Sequence, residues 1–134
     1  YVGAVFAAGL AHLRARGDIP REYTLVPAPT RPRSARARGG DPVSAVCHAA
    51  AQHQRVGVCA ALTMGQSTAD QSELNAQDRW ANLQGRVRVR APIAQGPALL
   101  ADDVITTGAT LAASIAALQA AGVEVCGALV FADA

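Results

Sequence analysis

Residues 98–131 carry a pattern that few architectures can satisfy. An apolar run, Ala98–Ala101, meets two adjacent acids, Asp102 and Asp103, and then a stretch rich in hydroxyls and glycine, Thr106–Thr110. Leu111, Ile115 and Leu118 follow at helical spacing, Gly122 closes that helix, and a second apolar run fills 123–131. A strand, a short loop, a helix and another strand form a parallel crossover unit, because two parallel strands cannot be joined by a tight hairpin. The chain is therefore expected to be α/β.

The remaining segments agree. Val2, Val5, Phe6, Gly9, Leu10 and Leu13 predict a helix over 2–15, stopped by Gly17 and Pro20. A short strand is expected at Tyr23–Val26, ended by Pro27, Pro29 and Pro32, since proline cannot continue a central strand. Arg31, Arg33, Arg36 and Arg38 crowd the loop that follows. Asp41-Pro42 opens a second helix as cap and first residue, and Val43, Val46, Cys47 and Ala50 line its face to about Gln54. "RVGVCAAL" (55–62) reads as a strand, 63–82 as a long polar loop, and "RVRVR" (86–90) as a strand with its valines inward. A loop that long inside a compact domain calls for a function. At 134 residues the chain makes a single domain, 1–134. It opens at Tyr1, without methionine and inside a helical pattern, which reads as truncation at the N-terminus.

Composition narrows the chemistry. Hydrophobic residues are 51% and charged ones 16%, the signature of a chain that packs a core. All twelve basic residues are arginine, so a Walker A lysine, a Schiff-base lysine and a lysine general base are excluded. Arginine suits bidentate recognition of phosphate, although codon usage and ordinary surface charge account equally well for most of the twelve. Cys47, Cys59 and Cys126 are far apart and form no paired motif, so core packing is expected of them. The three histidines have no metal spacing, and no apolar run is long enough to span a membrane. A reducing, cytoplasmic setting is the expectation.

In sheets of this class ligands bind beyond the carboxyl ends of the strands. Asp102 and Asp103 are expected at one such end and the arginine-rich proline loop at another. Thr106–Thr110 joins a strand to a helix start, where backbone N–H groups and the helix dipole favour a phosphate. A plain helix cap with turn residues would explain the threonines and glycine alone. It does not explain the acids, which repel unless protonated, bridged by a cation or hydrogen-bonded. A ribose diol with bound magnesium would satisfy both. A receiver domain also pairs acids after a strand, but it relies on a lysine that this chain lacks. A glycine-rich dinucleotide fingerprint is missing too.

These residues resemble a known family. "LLADDVITTGAT" is similar to the phosphoribosyl-pyrophosphate (PRPP) motif of type I phosphoribosyltransferases. Over about residues 24–132 the chain resembles the ComF-like, competence-associated branch, through "LVPAPTRPRSARARGGD", "QSELNAQDRWANLQGRVRV" with Arg79 and Asn82, and "ALQAAGVEVCGALVF". Two departures stand out. No four-cysteine zinc ribbon is present, and Arg38-Gly39-Gly40-Asp41 lacks the family's aromatic residue.

The resemblance implies a mostly parallel sheet flanked by helices, with a flexible loop over the site. It implies that Asp102 and Asp103 hold the ribose diol and, largely through PRPP, magnesium. Thr106, Thr107, Gly108, Ala109 and Thr110 would cradle the 5′-phosphate, and Thr30 and Arg31 would lie near the pyrophosphate. Asp103 and Arg79 are the candidate catalytic residues, with the 63–82 loop as a lid. For Arg79 alone, a surface or sheet-edge role explains the residue as well. The implied reaction is transfer of the phosphoribosyl group from PRPP to a nitrogen nucleophile. A second reading keeps PRPP binding without turnover, in an accessory or regulatory protein linked to DNA uptake and competence proteins. Aromatics are 4% of the chain and Trp80 is the one tryptophan, so no direct nucleic-acid contact is expected. No membrane association is expected either, and a homodimer is compatible with the resemblance.

Overall fold

The computed structural model describes residues 2–29, 42–65, 86–93, 96–105 and 108–133. Their elements run α1 (Val2–Ala15), β1 (Thr24–Pro27), α2 (Pro42–Gln54), β2 (Gly57–Val58), β3 (Leu62–Met64), β4 (Val87–Val89), β5 (Ala98–Ile105), α3 (Ala109–Ala120) and β6 (Val125–Asp133). Four strands form one sheet in the order β2-β1-β5-β6, and every pair in it is parallel. β3 and β4 form a separate antiparallel ribbon. The fold is α/β with a mostly parallel sheet flanked by helices.

The two central strands explain why the sheet forms where it does. "TLVP" and "ALLA" carry no polar alternation, as expected of strands covered on both faces. Successive residues point to opposite sides. Leu25, Leu99 and Ala101 join Phe6, Leu10, Val43, Cys47 and Ala50 in a core with α1 and α2. Val26, Ala98 and Leu100 join Leu111, Ala113 and Leu118 of α3, together with Leu62, Met64 and Val87 of the ribbon. Phe6 of α1 also stacks on Phe131 of the edge strand β6, with ring centroids 6.2 Å apart.

Three expectations need correction. The apolar run 55–62 is not one strand. Arg55 adopts a left-handed turn (φ 55), and Gly57 and Val58 pair with Thr24 and Leu25. The Cys59 N–H reaches the Leu25 carbonyl at 2.9 Å, and a tight bend then closes with the Ala61 N–H on the Cys59 carbonyl at 2.8 Å. Leu62 onward pairs with β4 instead, so a run uniform in hydropathy serves two sheets.

The strand expected to stop at Ala101 continues to Ile105, so Asp102 and Asp103 lie within β5 and not beyond its end. Main-chain pairing to β6 holds it there, from Asp102 opposite Val130 to Ile105 opposite Asp133. Backbone hydrogen bonds do not depend on side-chain polarity, so the loss of hydropathy misplaced the strand end. β1 runs one residue further than expected. Pro27 occupies its last position opposite Ala101, and the next N–H, that of Ala28, donates to the Ala101 carbonyl at 2.8 Å.

Candidate functional site

The strand order creates a switch point. From β1 the chain crosses through α2 to β2 on one side, and from β5 it crosses through α3 to β6 on the other. Between β1 and β5 the connections therefore diverge, and the carboxyl ends at such a divergence are the usual ligand position in an open parallel sheet. Past the Pro27–Ala101 pair β1 ends and β5 continues, still paired on its other side to β6. Asp102 is thus the first β5 residue beyond the last β1 pair. It is half-buried and engaged by the surrounding protein.

Gly108 makes the step from β5 into α3. It sits in the left-handed region (φ 77, ψ 1) at the head of the helix, and no side chain caps it. Among the described residues a Cβ placed there would meet nothing within 4 Å, so the backbone angle is what favours glycine. The Gly108 carbonyl accepts the Ala112 N–H at 3.0 Å, which starts the helical ladder. The first N–H groups of any helix lack partners in the helix itself. A helix start of this kind suits an anion in general, and Ala109 at its head is engaged by the surrounding protein. Thr110 is half-buried, and its carbonyl accepts from the buried Ser114 hydroxyl at 2.7 Å, which anchors the first turn.

One strand–helix unit therefore brings together Asp102, Asp103, Gly108, Ala109 and Thr110, and β1 delivers the chain to the same end. Only the backbone of Asp103 is described. Thr30, Arg31, Arg79, Asn82, Thr106 and Thr107 lie outside the described residues, as do residues 66–82 of the expected lid. The magnesium set can be tested on its donor chemistry. Among the described residues no group of three or more histidines, cysteines or carboxylates gathers. One or two carboxylates beside a phosphate-rich substrate are the usual arrangement for magnesium, so the residues fit an ion held largely by the ligand.

The sequence reading did not anticipate the base of the ribbon. "RVRVR" was legible as a strand, with Val87 buried and Arg88 exposed, but its partner was not. The Arg86 Nε donates to the Gly65 carbonyl at 2.8 Å, and the Gly65 N–H donates back to the Arg86 carbonyl at 2.9 Å. The Arg90 Nε holds the Ala60 carbonyl at 2.8 Å. The Gly65–Arg86 bonds close the end of the ribbon, the Arg90–Ala60 bond holds its other end, and β4 packs on α3. Alternating arginines flanking two valines were the available signal. No helix among the described residues is long and apolar enough to cross a membrane. No family of known proteins matches the chain, and no curated protein matches it.

Proposed function

We propose that the chain is a phosphoribosyltransferase that binds PRPP with magnesium and transfers the phosphoribosyl group to a nitrogen nucleophile. One observation carries the reading. The segment resembling the PRPP motif leaves β5 through a left-handed Gly108 into α3, beside the carboxyl end of β1 at the switch point. Such a helix start suits a phosphate, and acceptors such as Asp102 close by suit a sugar diol.

In this reading Gly108, Ala109 and Thr110, with Thr106 and Thr107, cradle the 5′-phosphate, and Asp102 and Asp103 accept the ribose hydroxyls. Thr30 and Arg31 take the pyrophosphate. The bond from the anomeric carbon to pyrophosphate breaks, and its electron pair leaves on the pyrophosphate oxygen. The acceptor nitrogen supplies the pair for the new bond and then gives up its proton. The ribose passes through an oxocarbenium-like state, so the protein's task is to hold the leaving anion and exclude water. Magnesium, when bound, would neutralise charge on the pyrophosphate.

Calorimetric titration with PRPP and magnesium, followed by a screen of bases for pyrophosphate release, tests the proposal. Replacing Asp102 and Asp103 together with Asn removes two charge-assisted contacts. It should weaken magnesium-dependent PRPP binding by about 100-fold while the thermal unfolding midpoint stays close to that of the parent. Unchanged affinity would refute the diol assignment. Binding without pyrophosphate release on any base would favour the non-catalytic, accessory reading.

A further inference from the structure

A second cavity lies at the opposite, amino end of the sheet. It has a volume of about 560 Å³ and is lined by Ala11, Arg14, Ala15, Arg21 and Gln54. Those residues come from the last turn of α1, the connection into β1 and the last position of α2. The sequence marks none of them, because three separate segments have to meet before they become neighbours.

Arg14 is held in place. Its guanidinium lies 5.3 Å from the centre of the Tyr23 ring, and its Nη2 donates to the Arg21 carbonyl at 2.9 Å. Its Nε is buried and has no hydrogen-bond partner, and the hydroxyl of the almost fully buried Tyr23 behind it has none either. Among the described residues the one ion pair is Arg16 with Asp18, 3.2 Å apart, so neither Arg14 nor Arg21 has a carboxylate partner. No acid is among the described residues that line the cavity.

The balance of charge decides the sign of the ligand. Two guanidinium groups contribute two positive charges. The carboxyl ends of α1 and α2 nearby oppose them with about half a negative charge each, leaving about one positive charge in net. Arg14, fixed over Tyr23, a second arginine and an amide suit the tetrahedral oxygens of a phosphate. The volume exceeds that of the bare ion and falls in the range of small-molecule sites. We propose that this cavity binds a phosphate group, free or carried by a small molecule, at a site separate from the one at the carboxyl end of the sheet.

Nitrogen–proton NMR of the full chain tests this with three probes: inorganic phosphate, glycerol phosphate and acetate. Either phosphate probe should shift the Ala11 and Ala15 amides and the Gln54 side-chain amide in a saturable way, and acetate should bind more weakly. Tighter binding of glycerol phosphate would identify an organic carrier, and tighter binding of inorganic phosphate the free ion; either supports the site. Arg21 is exposed and packs no core, so Arg21→Ala should keep the fold while weakening this binding about tenfold. The Gly108–Leu111 amides report the other end of the sheet independently and should respond equally in both proteins. No saturable shift at Ala11, Ala15 and Gln54, a preference for acetate, or a response unaffected by Arg21→Ala would overturn the proposal.

Discussion

The phenol of Tyr23 shows how one atom sets a pH limit on the fold. The residue is 3% exposed, and its hydroxyl has no hydrogen-bond partner. Burial pushes its pKa above the ordinary 10.0, the Arg14 guanidinium pulls it down, and Cys126 adds to the rise. A buried hydroxyl without a partner is a cost that phenylalanine avoids while keeping the ring beneath Arg14. Tyr23→Phe should therefore stabilise the protein by about 1 kcal/mol in urea unfolding at neutral pH. The raised pKa also carries a sign. The folded state holds the phenolic proton more tightly than the unfolded chain, so this stability is full below the ordinary value and is lost as pH rises through the raised one. Burial first, with Glu124 as a smaller cause, likewise raises Cys126 above 9.0. The parent should thus lose stability from about pH 9 upward, and Tyr23→Phe should lose less. A variant less stable than the parent at neutral pH would mean that the hydroxyl has an unseen partner.

The junction from β5 into α3 combines two requirements in one glycine. Its positive φ costs a side-chain-bearing residue about 1–2 kcal/mol, but none of the described residues crowds the position. Gly108→Ala should therefore fold, with a loss of about 1 kcal/mol, while the new methyl occupies the space through which a phosphate would approach the helix start. About a tenfold loss of PRPP affinity is expected, well beyond what the small stability loss explains. Equal affinity in the two proteins, measured by calorimetry, would return Gly108 to a purely structural cap. This element was legible in outline. Thr-Thr-Gly ahead of Leu111, Ile115 and Leu118 marks a helix start whatever the rest of the chain does, because capping and 3.6-residue periodicity are local. The extent of β5 was not legible. Its acidic residues look like a strand end, and only pairing with β6 keeps them in the sheet.

At the scale of the molecule, a ligand that spans β1, β5 and α3 should stabilise all three together. With PRPP at about 100 times its dissociation constant and magnesium present, unfolding should become harder by about 2.7 kcal/mol, and a chelator should reverse most of the gain. A midpoint indifferent to PRPP in thermal scans would exclude a site built from these elements. Much of this architecture is written locally. The helices of the described residues, the apolar central strands and the strand–glycine–helix unit at 98–120 each follow from periodicity, caps and breakers within a few residues. What could not be read from such signals is who pairs with whom. The run at 55–62 divides between two sheets because Gly57 and Val58 find the free edge of β1 and Leu62–Met64 find β4, across a long stretch of chain. Backbone N–H and carbonyl groups make those choices, and every residue carries nearly the same ones, so hydropathy holds no record of them. The cavity at Arg14 and Arg21 exists for the same reason: it forms where two helix ends and a turn are packed together by a core centred elsewhere. Local chemistry decided the elements and the motif; tertiary packing decided the partners, the switch point and the second cavity.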